Sequence, residues 1–240
     1  MKKLFLVSLA LITMTAAQAQ LKIIPTLKKG MEKVYETKAS MTLPGQPTIN
    51  MISDTKYTVS DATADGYIID VVTTSFSSDA AKDNITGQIM TAAQEMAKGV
   101  HILIATDKNG KPVKIANYDE LSKQLNERGK QMIIKLYELM PEVKDALPEE
   151  ALKEQLLESV AEEPLFKSMT GTNSPLLLFG KTIMTGAQEE IVNEQGLNMK
   201  RMYFVNGKDV TTNATLSIRE SQGIYLAFHT IFRTFADNLR

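Results

Sequence analysis

Two blocks of two-residue hydrophobic alternation flank one block of helical period, and that order restricts the architectures open to this chain. Residues 33–42 alternate through Val34, Tyr35, Thr37, Ala39 and Met41 and stop at the turn signal Leu43-Pro-Gly-Gln-Pro47. Residues 50–60 and 66–76 follow, rich in Ile, Val, Thr and Tyr and joined by Asp61-Ala-Thr-Ala-Asp-Gly66. Three such runs in succession predict an antiparallel meander. Residues 100–106 and 112–116 then form a hairpin about Asn109-Gly110, a dipeptide whose small, turn-tolerant residues suit tight connections. After the helical block the β pattern returns near 187–193, 198–205 and 210–218, with turns at Gln195-Gly196 and Asn206-Gly207.

The helical block has its own punctuation. Asn117-Tyr-Asp-Glu120 has capping-box spacing, and Leu121, Leu125, Met132, Ile133, Leu136, Leu139 and Met140 make one stripe ending at Pro141. A second helix is predicted from Pro148 through Leu152, Leu156, Leu157 and Val160, with Glu163-Pro164 as its break and 165–169 an ambiguous apolar piece. An earlier helix is predicted over about 79–98, capped by Ser78 and stopped at Lys98-Gly99. For the last twenty residues, Ile224, Phe228, Ile231, Phe232, Phe235 and Leu239 favour a helix, although Ile224-Leu226-Phe228 also suits a strand start.

The N-terminus gives an address. Lys2 and Lys3 precede the apolar run Leu4 to Met14, which leads to the small-residue site Ala17-Gln-Ala19. A basic start, a short apolar run and an A-x-A site predict a secretory signal peptide over 1–19, cut near Ala19. The run is shorter than the ~20 apolar residues a spanning helix needs, so no membrane span is expected. There is no Cys, hence neither a disulfide nor a lipid-modified cysteine, and a soluble periplasmic or secreted protein is expected. Residues 20–240 are expected to form a single α+β domain with a helical insertion at about 117–170. With 43% apolar residues, a chain of this size builds a core without covalent staples. The net charge is −1 and becomes more negative once Lys2 and Lys3 are removed. No dense basic stripe exists, which sets nucleic acid aside as a partner.

Chemistry is sparse. Asp61, Thr63, Asp65, Gly66 and Ile68 match the first half of an EF-hand loop, but its twelfth position, where a bidentate Glu belongs, is Val72. A strand hairpin explains the acids and the glycine, so no metal site is assigned. Ser53-Asp-Thr-Lys56 matches S-x-x-K, yet it lies in a predicted strand where Ser53 and Lys56 point to opposite faces. The histidines, His101 and His229, stand alone in sequence. Adjacent acids such as Glu189-Glu190 read as solvated faces. No catalytic residue and no cofactor are assigned, and the chain is not read as an enzyme. Trp is absent and aromatics are 6%, which leaves few stacking platforms, while Met is abundant at 13. Methionine suits adaptable apolar surfaces as well as ordinary gap-filling.

A sheet split around helices curls and uses them to cover its concave face. The layout of strands at 33–76 and 100–116, helices at 117–161 and strands at 187–218 resembles the open half-barrel of periplasmic lipoprotein carriers and related envelope lipid-binding proteins. The chain is also similar to uncharacterised exported proteins of Gram-negative envelopes, through its signal peptide and hairpin turns such as Asn109-Gly110. No position matches the carriers' ligand-gating arginine. The expected fold is therefore α+β, a curved antiparallel sheet in an open half-barrel with a helical block packed on its concave face. The resemblance implies a non-catalytic periplasmic protein binding or carrying an apolar, lipid-like ligand, with Leu125, Met132, Ile133, Leu136 and Met140 lining the pocket. The alternative is a structural or partner-binding envelope protein whose helices only complete the core, and a hydrolase ranks third.

Overall fold

A computed structural model describes residues 20–42, 48–79, 96–139, 141, 144, 148–171, 174–184, 186–194, 197–206, 209–217 and 225–230. Its strands are β1 (Gln20–Lys22), β2 (Glu32–Thr42), β3 (Ile49–Ala62), β4 (Tyr67–Ser78), β5 (Ile102–Thr106), β6 (Pro112–Ile115), β7 (Thr182–Met184), β8 (Gly186–Glu194), β9 (Leu197–Asn206), β10 (Asp209–Ser217) and β11 (Tyr225–Thr230). Helices α1 (Tyr118–Leu139), α2 (Glu149–Ser159) and α3 (Glu162–Thr170) and a 3-10 turn at Pro175–Leu178 separate β6 from β7. The fold is α+β, with an antiparallel sheet ordered β6-β5-β4-β3-β2-β11-β10-β9-β8 and a small second sheet, β1-β7.

The expected meander and hairpin pairings are present, with residues 43–47, 195–196 and 207–208 of their turns outside the described residues, and the alternation places their faces. Tyr35, Thr37 and Ala39 on β2 and Met51, Ser53, Thr55 and Tyr57 on β3 look inward, whereas Val34 and Ile52 are exposed. A register shift at Asp54/Thr55 leaves Thr74 as an extra residue, so that Thr73 and Phe76 both keep the inner face. At the Asn109-Gly110 turn, Gly110 adopts φ +81° and its backbone lies directly against Pro25 and Phe179, where a Cβ would not fit.

Three consecutive residues show how strongly the sheet is curved. Phe179 and Gly180 abut the β5–β6 turn at Gly110 and Lys111, while Lys181 reaches Tyr203 on β9 at 3.4 Å and Glu190 on β8 at 3.8 Å. A flat nine-stranded sheet would hold its edges roughly 38 Å apart, at ~4.8 Å per strand. Three residues span only about 10 Å. The edges must therefore turn toward each other, and the gap between them holds β1 and β7 rather than a β6–β8 pairing. The sheet stays open. One core joins Ile69, Val71, Ile102 and Ile104 of the sheet to Leu121 and Leu125 of α1, and Tyr203 from the far side of the curl belongs to it too.

Three local expectations are corrected. Residues 225–230, expected to be helical, form β11, paired between β2 and β10 with His229 opposite both Lys38 and Asn213. The spacing of Ile224 and Phe228 satisfies either period, and pairing on both sides decides for the strand. Asn117 does not cap α1 with its side chain. Its amide oxygen accepts from the Leu103 N–H at 2.9 Å and its amide nitrogen donates to the His101 carbonyl at 3.0 Å, so it seals the start of β5 instead. Glu163-Pro164 is no break: the chain turns at Val160–Ala161, and Pro164 sits in the first turn of α3, where its missing N–H has no partner to lose. Residues 165–169 are accordingly helical. Most of the helix expected over 79–98 falls on residues 80–95, outside the described residues; its expected end, Met96–Ala97 followed by a turn at Lys98-Gly99, is as read.

Candidate binding cleft

Between the inner face of β2–β5 and the helices lies a cleft of about 450 Å³. Its floor is built by strand alternation: Thr37 and Ala39 from β2, Met51, Ser53 and Thr55 from β3, and Thr73 from β4. Its roof comes from Leu125 of α1, Val160 at the α2–α3 junction, and Leu165, Ser168 and Met169 of α3. Met51, Met96 and Met169 all border it, which gives the abundant methionine a place on an adaptable apolar surface.

Hydrogen bonds brace the roof. Arg128 on α1 donates to the carbonyls of Met96 and Lys98 at 2.9 and 2.8 Å, tying α1 to the turn that enters β5. The Tyr118 hydroxyl donates to the Val160 carbonyl at 3.3 Å, which fixes the α2–α3 junction against the start of α1. Beside Ser174, which also lines the cleft, Tyr57 packs edge-on against Tyr35 with centroids 5.4 Å apart, and its hydroxyl hydrogen-bonds Ser174. Burial pushes the Tyr57 phenol up to about 12, more than the Ser174 contact lowers it, so it is neutral at physiological pH.

The stripe expected to line a pocket is divided. Leu125 is buried and borders the cleft. Ile133 is buried but faces a separate crevice of about 300 Å³ between α1 and α2, beside Leu156 and Leu157. Met132 and Leu136 are half-buried, and Met140 lies outside the described residues. The strand residues of the floor were missed in the sequence. Their hydroxyls make them look solvent-facing, while exposed Ile52 looks like core.

A second cluster also escaped the sequence reading. Arg201 on β9 is 2% exposed and donates to Glu190 Oε2 on β8 at 3.2 Å and to the Tyr203 hydroxyl at 3.2 Å. The Tyr203 hydroxyl itself donates to Glu190 at 2.7 Å. Burial raises the Glu190 carboxyl, but the Tyr203 hydrogen bond and the charges of Lys181 and Arg201 outweigh it and hold it below its ordinary value. Of the adjacent acids, Glu189 does face outward, to Lys200 at 2.6 Å, whereas Glu190 faces inward. This cluster fastens Lys181 to the β8–β9 edge.

The remaining motifs fall as their strands require. Ser53 faces the cleft, and Lys56 pairs with Glu32 at 3.3 Å on the other side of β3. Asp61 pairs with Lys29 at 3.3 Å, and Thr63 and Asp65 form the β3–β4 turn. His101 contacts Asp70 at 2.8 Å and is largely exposed. Among the described residues, no group of three or more His, Asp or Glu is placed to hold a metal, and no helix is long and apolar enough to cross a membrane.

No protein-family model matches the chain, and no curated protein does. Two solved structures align over 88% of it. One is the dehydratase domain from the CurF module of curacin polyketide synthase, with 10% identity, 78% of that chain covered and a TM-score of 0.13. The other is the dehydratase domain from the CurK module, with 8% identity, 79% covered and a TM-score of 0.12. At such TM-scores the likeness carries no argument about fold or activity.

Proposed function

We propose that this is an exported, non-catalytic protein that binds or carries an apolar, lipid-like molecule in the cleft between sheet and helices, a role of the kind implied by its resemblance in layout to half-barrel carriers. The observation that supports the reading is the cleft itself. Its 450 Å³ falls within the ~300–1,000 Å³ of small-molecule sites, and its described walls are mainly apolar side chains interspersed with hydroxyl-bearing ones. Native mass spectrometry of protein purified from its secreting host tests it, with a co-purifying hydrophobic adduct as the expected result. N-terminal sequencing of the same material is expected to begin at or near Gln20. Protein that carries no adduct and binds no neutral hydrophobic dye would leave the alternative, an envelope protein acting through partners. Exposed Ile191 and Phe204, on the outer side of β8 and β9, favour that second reading.

A further inference from the structure

The cleft's floor is chemically uneven in a way that selects among apolar molecules. Thr37 on β2 stands directly opposite Ser53 on β3, and Thr55 on β3 directly opposite Thr73 on β4. Opposed residues on one face of an antiparallel sheet have Cβ atoms about 4.5–5.5 Å apart, so these four make a continuous hydroxyl band across three strands. None of the four hydroxyls is used in a hydrogen bond within the described structure. The band is flanked on one side by Ala39, Met51 and Phe76 and on the other by Tyr57, Val71 and Ile102, under a roof of Leu125, Val160 and Leu165. No Asp, Glu, Lys, Arg or His occurs among the described residues that line the cleft.

Resting on the binding reading above, we infer that the site takes a neutral amphiphile, a long-chain alcohol or acylglycerol whose hydroxyl or carbonyl groups meet the band of Thr37, Ser53, Thr55 and Thr73, and that it rejects the same chain ended by a carboxylate or phosphate. Each hydroxyl on the band both donates and accepts, so it satisfies an alcohol or an ester carbonyl equally well. An ionised head group would leave water for described walls that offer dipoles but no counter-charge, and that desolvation is unfavourable without a paired ion. The phenol of Tyr57, neutral at physiological pH, does not alter this balance. A purely apolar ligand would leave the four hydroxyls without the hydrogen bonds they make to water, which disfavours bare hydrocarbon at this depth.

The test is displacement of the neutral dye Nile red from the full exported protein at neutral pH by decanol, monodecanoylglycerol and decanoate, which share one chain length. Both neutral compounds are expected to displace dye at concentrations at least about tenfold below decanoate. The variant T37V/T55V/T73V keeps side-chain shape and strand propensity while removing three hydroxyls, and it is expected to erase most of the neutral compounds' advantage over decanoate, read for each compound by native mass spectrometry as well as by dye displacement so that a changed dye affinity is not mistaken for it. Decanoate competing as well as decanol, or an advantage unchanged in the triple variant, would overturn the inference while leaving the binding reading intact. Failure of the parent protein to bind Nile red or any of the three compounds would overturn the binding reading itself, and this inference with it.

Discussion

Leu121 and Leu125 lie one helical turn apart on α1, yet truncating them should have different consequences. Leu121 is 1% exposed and enclosed by core, whereas Leu125 is 6% exposed and borders the cleft. Leu→Ala removes about three carbons, and at ~0.8 kcal/mol each the lost transfer energy is about 2 kcal/mol at either position. At Leu121 the space left behind is sealed. A residual void of roughly 80 Å³ adds about 2 kcal/mol at ~24 cal/mol per Å³, for a total near 4 kcal/mol. At Leu125 the new space joins a cleft that already exists, so the cavity contribution nearly disappears and about 2 kcal/mol remains. Urea titration at constant slope reads the difference as two separate midpoint shifts. Nile red affinity should fall in Leu125→Ala, which loses a contact wall, and stay at the parent value in Leu121→Ala. Equal destabilisation at both positions, with no dye bound by the parent, would mean that α1 closes a solid core and that the cleft is not a binding site.

Gly66→Ala should be among the more damaging single substitutions outside the core, by about 2–4 kcal/mol, because Gly66 has φ +156° and an added Cβ would overlap the backbone carbonyl of Thr106; the thermal midpoint reads it. Stability should fall as pH rises from about 10 to about 12, since the Tyr57 phenol ionises near 10.0 when unfolded but only near 12 in the fold, so deprotonation favours the unfolded chain. Tyr57→Phe should lessen that alkaline limb without abolishing it, because burial raises the Tyr35 and Tyr203 phenols as well, and a limb unchanged in the variant would place the effect elsewhere. Glu190→Ala and Arg201→Met should be non-additive, with a coupling of about 1–3 kcal/mol in a double-mutant cycle, because Glu190→Ala leaves the buried Arg201 guanidinium without its carboxylate, a cost that disappears once Arg201 is gone.

Much of the fold was legible because local pattern and tertiary outcome agree. Strands β2 to β6 alternate, β2, β3 and β5 are each followed by a glycine-containing connection, and α1 carries its own stripe, so those boundaries fall within a few residues of expectation. The errors arise where local signals admit two answers. Asn117 offers a capping group that β5 claims first, and Pro164 is as compatible with a first turn as with a break. The spacing from Ile224 to Phe228 satisfies a helix or a strand until β2 and β10 are in place on either side. The cleft was only partly legible for a different reason. Sequence patterning assumes that polar residues face water, and here Thr37, Ser53, Thr55 and Thr73 face inward. Leu125 could be picked out from its stripe, but the floor opposite could not. The Arg201–Glu190 pair carries no signal at all, because its partners are brought together by the register of β8 and β9.

The position of β11 has a consequence for how this protein is made. It is the last described strand, yet it lies in the middle of the sheet, between β2 from the beginning of the chain and β10 from its end. Until β11 docks, the meander β2–β6 and the ribbon β8–β10 are two separate ribbons, each with an open edge of nine or more residues. A chain emerging N-terminus first exposes the β2 edge throughout synthesis, and such edges readily recruit strands from other molecules. Closing the sheet also requires contacts between residues at opposite ends of the sequence, which makes the last step slow. The newly emerged protein should therefore depend on holding chaperones until its final segment arrives, and truncation before Tyr225 should release insoluble material rather than a smaller folded unit.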